Sequence, residues 1–192
     1  MSIIVGLAKE CFILRVISGT ARRISLVAPE GLATRPTSDR AKESLFNILG
    51  DRVRGARVLD IFCGSGAIGI EALSRGAREA VFVDSATHAI KAVKQNLAKT
   101  KLTAEIIHAA MESAIPRLAA EKRQFDIIFA DPPYDTEVLV KALALVSEAE
   151  ILAEGGVLIA EADSRAQIMG FTPTDTRTYG RTQFLFFEAG AE

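Results

Sequence analysis

Cysteine is scarce in this chain. Cys11 and Cys63 are the only two, and they lack the spacing of a metal site. Two isolated thiols favour a reducing cytoplasm over a disulfide framework. Long apolar runs are missing too: no stretch approaches the roughly 20 residues that a membrane-spanning helix needs. Met1 to Leu14 is mildly apolar, yet its only basic residue, Lys9, lies deep in the stretch and no persuasive cleavage site follows. It therefore does not read as a signal peptide. There is no internal repeat and no low-complexity tract. Excess charge of one sign is also absent, since 23 Lys and Arg stand against 24 Asp and Glu for a net charge of −1. That balance argues against a chain coated for nucleic acid. What is present is a 192-residue chain, 49% hydrophobic and 24% charged. It can build one soluble domain with a small appendage.

The charge is unevenly spread. Arg15, Arg22, Arg23, Arg35, Arg40, Lys42, Arg52, Arg54 and Arg57 face only Glu30, Asp39, Glu43 and Asp51 in the same stretch. Residues 15–57 thus carry an excess of five positive charges, and the acidic remainder lies beyond them. A basic front on an acidic body is a candidate phosphate-contacting face.

Arg15 to Val27 alternates loosely around Ser18-Gly19-Thr20 and predicts a short hairpin or two. Thr34 to Asp39 reads as a loop entering a helix, with Thr37 or Ser38 as N-cap and Asp39 in the first turn. Ala41, Leu45, Ile48 and Leu49 recur at helical spacing, and Gly50 ends the helix. From Arg57 onward strands alternate with helices. The strands are Val58–Ile61, Ala80–Asp84, Glu105–His108, the run Phe125 to Ala130, and Gly156–Glu161. The helices between them are marked by Ile68, Ala72 and Leu73, by Ile90, Val93 and Leu97, by Ile115 and Leu118, and by Leu139, Ala142, Leu143 and Val146. Pro116 is expected only in the first turn of its helix. Phe171 and the stretch Phe184 to Glu188 read as a closing hairpin around Tyr179-Gly180-Arg181. The pattern predicts an α/β fold, a parallel sheet with helices on both faces. Ligands of such sheets bind beyond the carboxyl ends of the strands. Asp60, Asp84, Asp131 and Glu161 stand at those ends and should surround one crevice.

Gly64-Ser65-Gly66-Ala67-Ile68-Gly69 satisfies G-x-G-x-x-G, and Asp84 follows at about the 20-residue distance suited to a ribose diol. Alone, this would suggest a nicotinamide dinucleotide. Asp60 shifts the balance, because a carboxylate beside a helix N-terminus is poorly placed for a pyrophosphate. It suits the ammonium of an amino-acid moiety, which S-adenosyl-L-methionine carries together with an adenosyl ribose. Asp60, Phe62, Gly64, Gly66, Asp84 and Met111 are therefore the candidate cofactor-binding residues, with adenine read by backbone groups at Met111. Cys63 fills the turn, and His108 reads as a surface or satisfied histidine.

Asp131-Pro132-Pro133-Tyr134 ends the fourth strand. An aromatic amine is a poor nucleophile because its lone pair is delocalised into the ring. The Asp131 carboxylate and the Pro132 carbonyl can each accept one N–H and draw the nitrogen toward tetrahedral geometry. Pro133 stiffens the loop, and Tyr134 stacks on the ring. Asp131, Pro132 and Tyr134 are the candidate catalytic residues. The protein supplies orientation and charge stabilisation, and no metal is called for. A base within structured RNA must first be unstacked to enter such a pocket.

Arg15-Val-Ile-Ser-Gly19, Thr34-Arg-Pro-Thr-Ser-Asp-Arg40, Glu43-Ser-Leu-Phe-Asn47, Asp60 to Gly66, Glu71-Ala-Leu-Ser-Arg75, Asp131 to Tyr134 and Tyr179-Gly180 together resemble the small-subunit ribosomal RNA methyltransferase D family. The resemblance runs from Arg15 to about Glu188, and its most specific part is the Thr34–Arg40 loop. It implies a Rossmann-like class I methyltransferase fold with a mostly parallel seven-stranded sheet and a small N-terminal β-hairpin element. It also implies S-adenosylmethionine-dependent methylation of the N2 amine of guanine 966 in 16S rRNA of the small ribosomal subunit. By the same analogy Arg22, Arg23, Arg35 and Arg40 contact the RNA backbone, and Pro133 borders the substrate. The expected organisation is an extension over 1–13 (a lineage addition or an early start), a hairpin and helix contacting RNA over 14–50, and the methyltransferase domain over 51–192. A cytoplasmic monomer is expected, with no membrane partner.

Four rival readings follow from the same residues. A DNA or RNA adenine-N6 methyltransferase shares the Asp-Pro-Pro-Tyr chemistry, but a DNA enzyme usually needs a further module for which the chain lacks length. A protein-glutamine or small-molecule methyltransferase fits the basic N-terminal stretch less well. A nicotinamide-dependent oxidoreductase conflicts with Asp60 and with Asp131-Pro132-Pro133-Tyr134, as does a non-catalytic RNA-binding protein.

Overall fold

The computed structural model describes residues 14–29, 39–132, 136–166 and 168–189. Residues 1–13, the Thr34 to Ser38 loop with Arg35, and Pro133 and Tyr134 lie outside them. The chain forms α1 (Asp39–Leu49), a 3-10 turn (Gly50–Val53), β1 (Arg57–Ile61), α2 (Ala67–Ser74), β2 (Glu79–Asp84), α3 (Thr87–Thr100) and β3 (Glu105–His108). Then follow α4 (Met111–Ala120), β4 (Phe125–Ala130), α5 (Thr136–Glu148), β5 (Leu152–Asp163), β6 (Asp175–Tyr179) and β7 (Thr182–Glu188). The seven strands stand in the order β3-β2-β1-β4-β5-β7-β6. The first five are parallel, and β7 runs antiparallel to both β5 and β6.

The strand order runs outward from β1 in both directions, so parallel crossovers place the helices in two layers. Leu45, Phe46 and Leu49 of α1, Ile68 and Ile70 of α2 and Val93 of α3 share one core with Val58, Phe82, Phe129 and Val157. Met111, Ile115 and Leu118 of α4 and Leu139, Leu143 and Val146 of α5 share the other with Leu59, Val81, Ile128 and Leu158. The central strands β1, β2 and β4 are buried on both faces, which explains why they read as near-continuous apolar runs. Each fully buried large apolar side chain contributes roughly 1.5–3 kcal/mol.

The segment 14–29 belongs to the first layer, and Leu14, Val16, Ala21 and Leu26 join that core. The short hairpin expected here forms: Arg15 bridges Ser25 in antiparallel sense, and the N–H groups of Leu26, Val16 and Arg23 donate to the carbonyls of Leu14, Ile24 and Val16 at 2.7, 3.0 and 2.8 Å. Side chains from helices take further backbone groups of the segment. Glu71 accepts the N–H of Ile17 at 2.7 Å and of Ser18 at 3.0 Å. The Ser74 hydroxyl accepts from Ala21 N–H at 2.9 Å and donates to the Ser18 carbonyl. Asn96 accepts from Val27 N–H at 2.7 Å and donates to the Val27 carbonyl at 2.9 Å. The fully buried Lys42 donates to the Arg15 carbonyl and lies 3.7 Å from Glu71. Arg75 completes the cluster, 2.8 Å from Glu71 and over the Phe46 ring.

Other expectations shift by local physics. Pro116 falls in the second turn of α4, not the first, because the helix already begins at Met111. The helix continues through it and forgoes the one N–H that proline lacks. β5 starts at Leu152, ahead of the expected Gly156, with an irregularity in its pairing to β4. The first strand of the closing hairpin is Asp175–Tyr179 and excludes Phe171. Phe171 packs edge-on against Phe187 instead, 6.4 Å between ring centres. The polar Asp-Thr-Arg-Thr-Tyr sequence suits an edge strand with a solvated face.

Candidate active site

Strand pleating decides which side chains meet at the carboxyl edge. Val58, Ala80, Phe82, Ile127, Phe129, Val157 and Ile159 all point to the α1–α3 face. Side chains alternate with a period of two, so Asp60, Asp84, Asp131 and Glu161 point to that face as well. They come from four neighbouring strands, β2, β1, β4 and β5. Asp60 is level with Phe129 and Phe82, whereas Ala130 is level with Ala160. Asp84, Asp131 and Glu161 thus stand two residues further out than Asp60, which is why Asp60 is buried at 3% exposure. The four carboxylates expected around one crevice thus stand on one pleat face at the carboxyl edge of the sheet.

The charges of Asp60 and Asp131 are poorly compensated. Burial raises the Asp60 pKa to about 8, opposed by one N–H from Gly69 at 3.0 Å and reinforced by Asp84. Burial, then Glu161, then Asp60 hold the Asp131 carboxyl well above its ordinary range. No described residue donates a hydrogen bond to the half-buried Asp131 carboxylate, and no described cation pairs with Asp60. Glu161 takes a long hydrogen bond from the Thr182 hydroxyl, 3.4 Å. A cleft of this kind favours cationic and hydrogen-bond-donating ligands.

The glycine turn is pinned from several sides. Gly64 donates its N–H to Asp84 at 3.0 Å, and Asp84 also accepts from Ala86 N–H at 2.8 Å. A carboxylate has about four acceptor positions, so two remain for a diol. Asn96 donates to the Ser65 carbonyl at 2.8 Å, tying the turn to the same side chain that grips Val27. Gly66 precedes α2 with φ +75°, a left-handed conformation that suits glycine. Gly69 is needed for a different reason, because a Cβ there would lie within 2.6 Å of the Phe82 ring. Phe62 adopts φ +61° despite its side chain. Such strain concentrates at ligand sites. Cys63 is buried and its thiol pKa is pushed up, so it fills the turn. Met111 is buried at the first position of α4, whose Ala110 cap residue offers no side-chain acceptor. His108 is exposed and hydrogen-bonds the Ser85 carbonyl at 3.1 Å.

The arginines divide. Arg15 pairs with Asp39, Arg52 with Glu188 and Arg57 with Asp126. With Lys42 buried, much of the basic excess is structural. Arg22, Arg23 and Arg40 are exposed and have no ion-pair partner among the described residues. Arg22 and Arg23 sit on a turn packed against Ser74, at the far end of α2 from the glycine turn. They do not line the crevice. Arg40 is nearer it, since α1 and α2 run side by side with Lys42 beside Glu71 and Phe46 beneath Arg75. Sequence reasoning missed the clasp of Lys42, Glu71, Ser74 and Asn96. Its one signal was a glutamate between Ile70 and Ala72 in an apolar helix. It also missed Asp163, which Arg165 and Arg181 hold well below the ordinary carboxylate pKa beyond Glu161.

This sheet order, with a glycine turn after β1 and an acidic residue closing β2, defines a class I S-adenosylmethionine-dependent methyltransferase fold. Residues 14–188 match a family described as conserved hypothetical protein 95. Over 181 residues the chain is 42% identical to YlbH of Bacillus subtilis, covering 91% of this chain and 98% of that one. Over 152 residues it is 34% identical to ribosomal RNA small subunit methyltransferase D of Escherichia coli, covering 78% and 75%. The chain therefore belongs to the small-subunit ribosomal RNA methyltransferase D family. Among solved structures, hypothetical protein TTHA0928 of Thermus thermophilus superposes with a TM-score of 0.82 at 30% identity, covering 92% of this chain and all of that one. The T. thermophilus 16S rRNA N2 G1207 methyltransferase, solved with AdoMet and guanosine, superposes at 0.68 and 25% identity, over 86% of this chain and 47% of that one.

Among the described residues no group of side chains could hold a metal ion, and no helix is long and apolar enough to cross a membrane.

Proposed function

We propose that the chain methylates the N2 amine of a guanine, guanine 966, in 16S rRNA of the small ribosomal subunit, acting as a monomer. The observation that carries this reading is the Asp131 carboxylate. It stands half-buried beside Pro132 at the end of β4, takes no hydrogen bond from any described residue, and shares a pleat face with Asp60 beside the glycine turn, in a chain of this family. S-adenosylmethionine supplies an electrophilic methyl group. The residues fit it: Asp60 and the glycine turn with Gly64 and Gly66 suit its amino-acid end, Asp84 its ribose, and Phe62 and Met111 its adenine.

The chain's own residues do the rest. Asp131 and the Pro132 carbonyl accept the two N–H bonds of the guanine amine and turn its lone pair toward the methyl donor. As the nitrogen gains positive charge, Asp131, Glu161 and Asp60 lie close enough to stabilise it. Pro133 and Tyr134, outside the described residues, continue this motif as loop stiffener and stacking ring. The acidic crevice repels phosphates, so the RNA backbone is held elsewhere. Arg22, Arg23, Arg35 and Arg40 are the proposed contacts.

Methyl transfer from labelled cofactor to small subunits and to naked 16S rRNA, followed by nucleoside analysis, tests the reading. N2-methylguanosine is expected. N6-methyladenosine would replace the substrate assignment with the adenine-N6 alternative.

A further inference from the structure

Asp131 needs only an exocyclic amine, and guanine, adenine and cytosine all carry one. Something else in the crevice must choose. Glu161 occupies the position for this. Ala130 is level with Ala160, so Asp131 and Glu161 are the next pair across two parallel strands. They share a pleat face and stand on strands about 4.8 Å apart. Both are half-buried. Glu161 is the largest charged influence on Asp131, so the two carboxyls feel one another directly. Two residues further along the same face, Asp163 is held by Arg165 and Arg181. Glu161 meets the Thr182 hydroxyl at 3.4 Å.

Two adjacent carboxylates make a row of acceptors. A ligand edge that fits must present donors side by side. Guanine does so, because its N2 amine and its N1–H are neighbours on one edge. Adenine presents an amine beside a bare N1 lone pair, and cytosine an amine beside a bare N3. Against either of those, a second carboxylate meets an acceptor.

Resting on the proposed reaction, we infer that Glu161 is the guanine-selecting residue, accepting the N1–H of the base whose N2 amine is held by Asp131. Glu161 is a positioning and specificity residue and takes no part in the bond changes.

The test uses 2-aminopurine, which keeps the N2 amine but has a bare N1. Small subunits are reconstituted on 16S rRNA carrying either guanine or 2-aminopurine at the methylated position. Wild-type enzyme should prefer guanine by about 100-fold or more in kcat/KM, as sites built around a substrate donor do. In Glu161→Gln the side-chain amide can donate to a bare N1, so the preference should fall at least about tenfold. A merely structural role would lower both substrates in proportion, and an unchanged ratio overturns the inference. RNA carrying inosine at that position, which keeps N1–H and lacks the amine, provides a measurement independent of turnover. It should inhibit wild type about tenfold more strongly than it inhibits the Gln variant; equal inhibition also overturns the inference. Failure of wild type on guanine itself would instead sink the proposed function.

Discussion

Glu71 and Asp60 are both buried carboxylates on the face covered by α1, α2 and α3. Glu71 accepts two backbone N–H groups, pairs with Arg75 and lies against the buried ammonium of Lys42. Among the described residues Asp60 accepts one N–H, from Gly69, and its charged neighbours are the carboxylates Asp84 and Asp131. Burying an ion is costly unless partners surround it. Glu71 has its partners inside the fold and acts as a clasp. Asp60, with Asp131 and Glu161 beside it, lacks them, and the balance is left for a ligand to complete. The same kind of side chain thus serves structure at one end of α2 and chemistry at the other.

Breaking the clasp should have the largest effect. Glu71→Ala strands the Lys42 ammonium and frees two N–H groups, and should cost about 3–5 kcal/mol of stability in urea unfolding. Stability equal to wild type would dissolve the distinction between the two regions. Asp131→Ala should act in the opposite sense. Methyl transfer should fall by about 100–1,000-fold in kcat, while binding of the cofactor product stays within about twofold. The melting temperature should hold or rise, because a like-charged carboxyl has been removed. A variant that turns over normally would remove Asp131 from the reaction.

Asp60 gives the comparison a pH dependence. Its folded pKa of about 8 lies above the ordinary 3.8. The folded state therefore binds the proton more tightly, and stability is greatest below the ordinary carboxylate pKa as far as this group is concerned. It is lost as pH rises from about 4 through about 8, by a few kcal/mol. Asp60→Asn should flatten that part of the stability profile of the ligand-free protein, measured by denaturant unfolding at several pH values. A profile as steep as wild type would assign the slope elsewhere.

Smaller effects belong to the exposed surface. Reversing the charge of Arg22 and Arg23 should weaken RNA binding about tenfold and lower its salt dependence by about two ion equivalents. Cofactor affinity should not move. Since these arginines lie away from the crevice, unchanged RNA binding would confine the footprint to the crevice side. Removing residues 1–13 should alter activity by less than about twofold, because the family match begins at Leu14; a greater loss in a methyl-transfer assay would give that extension a role.

Much of the fold was legible because the central strands are buried on both faces and most helices carry one apolar stripe. Those patterns name Glu105–His108 and Phe125–Ala130 to the residue. Legibility failed where backbone groups found unusual partners. The alternation of Arg15 to Val27 does announce a short hairpin, but nothing local announces that Glu71, Ser74 and Asn96 will satisfy its remaining N–H groups. The same blindness affected the arginines, because charge counted along the chain does not reveal that Lys42 is buried or that Arg57 pairs with Asp126.

Sequence by itself determined the chemistry on offer: a glycine turn after the first strand, acidic residues at the strand ends, and Asp131 followed by prolines. These are local facts, set by residue type and spacing. Only the tertiary structure decided that Asp60, Asp84, Asp131 and Glu161 share one pleat face across four neighbouring strands, with Asp60 deepest and Glu161 beside Asp131. Register and crossover direction are long-range properties. Among the described residues they set Asp60 and Asp131 against other carboxylates and no cation, and so leave them for a ligand.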